Sequence, residues 1–374
     1  YEISACLVGS EMCIRDSFGM LNSRFRFSGD YYIRKTTDMY TVGKTLPEIF
    51  GAASPKGNYA DMTTKGWEIT LTWRDHFELA SKPFNYEIKG TLSDYISTID
   101  RYNNENKYLD DYYEGMRVGE IWGYETEGLF KDQADIDNHA TQKLIKSSSK
   151  NIWYPGDVKL KDQDGNGAID YGTNRVDDHG DLKVIGNSLP RFAYSINLSG
   201  DWNNFFISAF FQGVGKQDWY PSSECIFWGQ YNRPYNNLPT WHVDNYWTED
   251  NQGAYLPRYA GYNTSIRDTK QTRYLQNVAY IRLKNLQFGY TLPKQWISKI
   301  MLQNARVYIS AENLWCWSPL YKHTRDLDVT NIYGSDPDLT DADMKSGLNG
   351  KRGSGDGNSY PQMRSISLGV SVTF

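Results

Sequence analysis

The last strand of this chain leaves few folds open to it. From Ser365 to Phe374 the sequence alternates without a break. Ile366, Leu368, Val370, Val372 and Phe374 fall on one side; Ser365, Ser367, Gly369, Ser371 and Thr373 fall on the other. Successive side chains of a β-strand point to opposite faces. The segment is therefore a ribbon with one apolar face and one face of small, mostly polar residues. The sequence stops on an aromatic residue, where a soluble sheet usually continues into a turn or a charged tail.

The same plan recurs upstream. Alternating stretches run from Met20 to Ile33, Gly66 to Phe77, Phe84 to Asp94, Arg191 to Leu198, Phe205 to Gly215, Asn277 to Leu292 and Ala305 to Leu314. With the last strand this predicts about eight antiparallel strands. Within Asn277 to Leu292 the apolar phase slips, from odd at Ile281 and Leu283 to even at Leu286, Phe288 and Tyr290. A β-bulge accounts for such a slip. Long connections (about 34–65, 95–190, 216–275 and 315–360) alternate with short ones. All the long loops thus collect at one end. That is the plan of an outer-membrane β-barrel, with short periplasmic turns and long extracellular loops. The fold class expected is all-β, the C-terminal portion of a large transmembrane barrel, whose closing residue is Phe374. The alternative is a surface carbohydrate-binding β-sandwich, whose strands also alternate. The two differ in where the apolar faces go: into lipid for the barrel, into a core for the sandwich.

Composition agrees with either all-β reading and excludes others. The 374 residues carry a formal net charge of −5, so no electrostatic footprint for nucleic acid exists. No apolar run reaches the roughly 20 residues of a membrane helix, which does not exclude strands that alternate lipid-facing and lumen-facing residues. Aromatics make up 15%; Tyr and Trp suit membrane interfaces and sugar-binding surfaces, because each has an apolar body and a polar tip. The five His are isolated, and the sequence holds no H-E-x-x-H, G-x-S-x-G, G-x-G-x-x-G or phosphate loop, so no enzyme is expected. The four Cys have no metal-ligand spacing. The first residues, Tyr1 to Ser17, lack the basic start and apolar run of a signal peptide. They resemble a translated sequencing-adapter tract, with a genuine leader as the other reading. This divides the chain into 1–17 and a barrel segment 18–374, and predicts an N-terminally truncated fragment.

Seven segments carry a resemblance to a known family. They are LNSRFRFSGDYYIRKTTDM (Leu21 to Met39), NYADMTTKGWEITLTWRD (Asn58 to Asp75), GEIWGYETEGLFKDQADID (Gly119 to Asp137), PGDVKLKDQDGNGAID (Pro155 to Asp170), IGNSLPRFAYSINLSGDWNNFFISAFFQGVGK (Ile185 to Lys216), YLQNVAYIRLKNLQFGYTLP (Tyr274 to Pro293) and ARVYISAENLW (Ala305 to Trp315). In this order they resemble the C-terminal barrel of SusC/RagA-type TonB-dependent transporters. The resemblance implies a barrel of about 22 strands in the cell outer membrane, closed by an N-terminal plug. It implies a SusD-like surface lipoprotein as lid and TonB-ExbB-ExbD as energy source, with oligosaccharides or peptides imported by binding and gated passage. Signal peptide, plug, TonB-contacting segment and early strands are missing from this sequence, so transport by this chain alone is not expected.

Two groups of residues carry candidate chemistry. Asp162, Asp164, Asn166, Ala168 and Asp170 hold positions 1, 3, 5, 7 and 9 of an EF-hand-like calcium loop, with Gly167 at the turn. Position 12 is Thr173, for which Asp177 or Asp178 would have to stand in. A hydrogen-bonded Asx turn without an ion is the other reading. In the long loop after Gly215, Trp219, Trp228, Tyr231, Arg233 and Trp241 are the candidate substrate-binding residues. Flat aromatic faces stack on sugar rings while Asn, Asp and Arg bond the hydroxyls. The alternative is that these aromatics pack the loop itself. Trp67, Trp73, Tyr31 and Tyr32 are candidates for an aromatic girdle.

Overall fold

The computed structural model describes residues 8–43, 51, 55–142, 152–223, 225–298, 301–330, 332 and 362–373. Phe374 lies outside them. Nine strands form one antiparallel sheet in chain order: β1 (Val8–Met20), β2 (Phe25–Val42), β3 (Lys56–Leu79), β4 (Lys82–Arg101), β5 (Arg191–Trp202), β6 (Phe205–Lys216), β7 (Tyr280–Thr291), β8 (Asn304–Trp317) and β9 (Ser365–Thr373). Among the described residues the sheet is open: β1 and β9 are its edges.

The register joins each strand's alternation into continuous rows. One row crosses all nine strands as Met20, Phe25, Trp73, Ile88, Leu198, Ala209, Leu286, Ala311 and Ile366. Every member is apolar. The adjoining row points the other way and reads Gly19, Arg26, Thr72, Lys89, Asn197, Phe210, Asn285, Glu312 and Ser365. A slip of one residue anywhere would exchange the two faces. On the polar face, neighbouring strands are stitched by Arg15 to Asp30 (2.6 Å), Thr91 to Ser195 (2.6 Å) and Asn85 to Asp201 (2.8 Å).

Among the described residues nothing covers the apolar face. Ile88 is 46% exposed, Ile207 46%, Phe288 49% and Leu368 75%. A contiguous uncovered apolar sheet is costly in water, at about 25 cal/mol per Å². A sandwich would have buried these side chains; this sheet presents them outward, as a barrel wall does.

Short turns close one end. Asn203 and Asn204 sit at φ 47° and 69°, the left-handed pair of a two-residue hairpin turn whose twist matches the strands. Ala80 and Ser81 make the same turn between β3 and β4. Aromatics gather on the apolar face there: Phe25 with Trp73, Phe77 with Phe84, Phe205 with Tyr290 at 4.7 Å. Tyr31 faces Trp67 nearer the other end. Phe77 and Trp67 are ten residues apart on β3, about 34 Å along a strand and about 24 Å at a tilt near 45°, close to the ~25 Å apolar band of such barrels. Tyr32 departs from the girdle expectation. It lies on the polar face, its ring over Gly66, where a Cβ would come within 2.4 Å of the ring.

Strand ends also differ from expectation. The loop expected at 34–65 shrinks, because β2 runs to Val42 and β3 starts at Lys56; β4 likewise continues to Arg101. Alternation is demanded only where one face is apolar, and the outer parts of β2 and β3 pair without that pattern. Val8 to Ser17, expected to be unrelated to the barrel, pairs in β1, with Met12, Ile14 and Phe18 opposite Ile33, Tyr31 and Phe27 on the apolar side. Nine strands replace about eight. The phase slip in β7 is a bulge at Lys284, which the register skips on both sides.

The hydrophobic core sits beyond the sheet's long-loop end. The connections 102–190, 217–279 and 318–332 pack together around Tyr124, Leu160, Ile169, Trp219, Trp228, Leu256, Tyr274, Leu320 and Val329. Three two-stranded pairs brace them: Glu120–Gly123 with Lys183–Asn187, Thr126–Leu129 with Val158–Leu160, and Asp218–Trp219 with Gln276–Asn277. A buried pair fastens the last loop to the wall. Asp328 accepts from Arg282 of β7 (2.6 Å) and from the backbone N–H of Gln362 (3.0 Å), while Arg282 donates to the Gln362 side chain (2.8 Å).

The two faces make unequal demands on substitution. Leu198→Arg in the bilayer-embedded protein should cost about 2–4 kcal/mol, whereas Asn197→Arg on the other face should stay within about 0.5 kcal/mol. Denaturant titration of the full-length protein in vesicles measures both; equal effects would contradict the face assignment.

Candidate functional site

The candidate residues of the long loop fall into two groups. Trp219 (1% exposed), Trp228 (0%) and Tyr231 (2%) are core residues. Trp228 packs edge-on against Phe227 and Tyr274 and donates its Nε1–H to the Pro221 carbonyl. Tyr231 donates its hydroxyl to the Pro257 carbonyl at 2.7 Å. Trp219 belongs to the short Asp218–Trp219 strand and meets Phe227 edge-on. None has a ring face free for a sugar, which corrects the substrate-contact expectation for these three. A long loop that stands off the sheet needs a core of its own, and these large side chains supply it. Arg233 is half-buried beside them.

Trp241 is placed differently. It is half-buried, held by Phe227 (centroids 4.9 Å), His242 (4.2 Å, edge-on) and His323 (5.5 Å), and lines a cavity of about 380 Å³. The cavity's other walls are Ile226, Phe227, Gly229, Asn236, Asn237, Pro239, Thr324 and Asp326. Residues 226–241 and 324–326 come from two different loops, so no single stretch of sequence announces it.

The Asp-rich loop keeps part of the expected form. Asp162 accepts from the N–H of Gly165 (2.6 Å) and Gly167 (2.8 Å), Asp164 from Asn166 (3.0 Å), and Asn166 from Ala168 N–H (2.7 Å). These backbone bonds hold the Asp162 carboxyl below its ordinary pKa. Asp170 is not turned inward: its carboxylate accepts from Gly172 N–H, and its own N–H goes to Asp181. Asp177 pairs with Arg175, and Asp178 accepts from Thr173, so neither stands at position 12. The residue that does arrive is Asp181. It is fully buried and groups with Asp162 and Asp164, their oxygens within 4.8 Å of one another. Burial, with the charges of Asp164 and Asp162, raises the Asp181 pKa. Among the described residues no Lys or Arg forms an ion pair with any of the three. Asp181 enters from beyond a separate turn and no loop motif contains it, so spacing alone could not find it.

His242 is buried beneath the cavity. One ring nitrogen bonds the Phe227 carbonyl (2.9 Å), and Nδ1 has no hydrogen-bond partner among the described residues. Burial lowers its pKa to about 4. A His held neutral in the fold contributes stability that is complete above its unfolded pKa of about 6.5, and is lost as pH falls toward 4, by at most about 3 kcal/mol. Hydrogen-exchange protection factors of residues 226–242, corrected for the intrinsic pH dependence of exchange, should therefore fall between pH 7 and pH 5. His242→Gln should flatten that dependence; an unchanged profile would show that another group controls the loop.

No family model matches the chain. Relatives and structures do. The chain is 27% identical to TonB-dependent receptor P3 of Formosa agariphila over 95% of its length, and 26% identical to TonB-dependent receptor P26 of the same organism. It is 21% identical to TonB-dependent receptor SusC of Bacteroides thetaiotaomicron over 96% of its length. It spans about a third of the length of these relatives (33% of P3, 31% of SusC). The fold matches the RagAB peptide transporter with a TM-score of 0.62 at 20% identity, over 83% of this chain and 31% of that one. With the outward apolar sheet and the loop core, this identifies the chain as similar to one third of a SusC/RagA-type TonB-dependent receptor, within its outer-membrane barrel fold.

Proposed function

We propose that this chain is part of the barrel wall of an outer-membrane importer energised through TonB, acting by binding and gated passage and without covalent chemistry. The observation that carries the reading is the uncovered apolar row across nine strands. Only lipid can cover it on the scale seen, and strands that span a bilayer must belong to a closed barrel. The relatives named TonB-dependent receptor support the energy source. Plug, TonB-contacting segment and remaining strands are assigned to sequence outside this chain, and the cell outer membrane is its location. A SusD-like lipoprotein is the partner expected over the loop end. Oligosaccharides or peptides are the substrates; the RagAB match adds weight to the import of polymers in pieces. The sandwich reading lapses with its core.

The full-length protein tests this directly. Extracted from its host's outer membrane in detergent, it should co-purify with a surface lipoprotein, and uptake through it should stop when TonB is deleted. A protein recovered soluble from the periplasm or medium, without detergent, would overturn the reading.

The calcium expectation continues in altered form, with Asp162, Asp164 and Asp181 as carboxylate ligands. Its support is the buried Asp181, which accepts from the N–H groups of Gln163 and Asp170 but has no cationic side chain beside it among the described residues, and whose pKa is raised by burial. Asp181→Asn should abolish any calcium-dependent gain in Tm, while losing one of the two backbone bonds that the carboxylate accepts. A Tm indifferent to calcium in the unaltered protein would reject the ion and leave the Asx turn.

A further inference from the structure

We infer that the cavity beside Trp241 is a recognition subsite for one uncharged sugar ring. The inference rests on the import reading above and narrows its substrate to a neutral glycan. Three observations carry it.

The first is size and shape. At about 380 Å³ the cavity lies in the range of small-molecule sites, and a sugar ring is a fraction of that volume. Gly229 shapes its wall. That residue sits at φ 49°, and a Cβ there would come within 2.4 Å of the Pro239 ring, so the close approach of the two segments requires glycine.

The second is the division of its lining. Trp241, Ile226, Pro239 and the buried Phe227 make up the apolar part of the lining, and Ile226 is 41% exposed despite its type. Asn236, Asn237, Thr324 and Asp326 make up the polar part. Asp326 receives the Thr324 hydroxyl on one oxygen (2.9 Å), and its other oxygen has no partner among the described residues. Asn236 spends its amide on the Gly229 carbonyl (3.3 Å), which leaves its carbonyl oxygen to accept. A pyranose presents an apolar C–H face and a rim of hydroxyls that both donate and accept. It has a counterpart for both kinds of lining residue. Trp241 is held in place by Phe227, His242 and His323, so little side-chain entropy remains to be lost on binding.

The third is charge. Among the described residues no Lys, Arg or His lines the cavity, and the one ionisable lining group is the Asp326 carboxylate. A uronate, a sulfated sugar or a peptide C-terminus would enter beside that negative charge with no cation to receive it. A neutral ring escapes this cost. A basic peptide would not pay it either, so the test separates those two.

The test uses the full-length detergent-extracted protein, first confirmed as an outer-membrane barrel by fractionation, so that a failure here is distinct from a failure of the import reading. Calorimetric titration with maltotriose, cellotriose and mannotriose is compared with trigalacturonate and trilysine. At least one neutral trisaccharide should bind. Trp241→Ala should weaken it at least about tenfold, Trp241→Phe less, and Asp326→Asn by no more than about threefold. Loss of the loop fold in Trp241→Ala is checked through Trp241→Phe, which keeps the aromatic volume. The inference is overturned if no neutral trisaccharide binds, if binding ignores both Trp241 variants, or if trilysine binds and Asp326→Asn abolishes it.

Discussion

Backbone hydrogen bonding without water governs this molecule. Within lipid an unpaired N–H or C=O costs several kcal/mol, so each membrane strand must pair along both edges. The register of the nine strands is the local answer to that demand. Once the ladders are set, side-chain faces follow from parity, and a single displaced residue would turn lysines and asparagines toward acyl chains. The bulge at Lys284 shows how narrow the tolerance is: one extra residue is absorbed there, and Leu286, Phe288 and Tyr290 resume the outward face. The unpaired outer edges of β1 and β9 are the remaining unmet demand within this chain.

The usual distribution of hydrophobic residues is inverted between the two halves. The sheet exposes its apolar side chains and saves its polar ones for the other face. The loops bury theirs: Trp228, Tyr274, Leu256 and Ile266 are fully enclosed. Regular structure and hydrophobic core, which coincide in a soluble protein, are here separate parts of the chain. The cavity at Trp241 exists because the loops are packed well enough to hold a wall in place.

The wall was legible in the sequence because lipid imposes a period of two. Ile366 to Val372 and Trp67 to Trp73 announce their strands and their faces without help. The projecting ends of β2 and β3 were not legible, since nothing forces alternation outside the bilayer. In the loops the composition showed aromatics but not their use. Trp219, Trp228 and Tyr231 look the same on the page as Trp241, and only the packing separates three core residues from one that lines a cavity. Asp162 and Asp164 were readable from loop spacing, while Asp181 came from beyond the motif and displaced Asp170. A contact made by the return of a distant segment leaves no local period.

The Arg282–Asp328–Gln362 junction bears on how such a surface can vary. One carboxylate receives both the wall and the backbone that leads into the last strand, so the two ends of the intervening chain are fixed independently of what lies between them. Loop-closure entropy grows only logarithmically, about 0.6 kcal/mol for each doubling of length. Insertions between Ile332 and Gln362, past the core residues Val329 and Ile332, therefore tax the sheet little. The register at β7 and β9 is thus insulated from the length of the chain that separates Asp328 from Gln362.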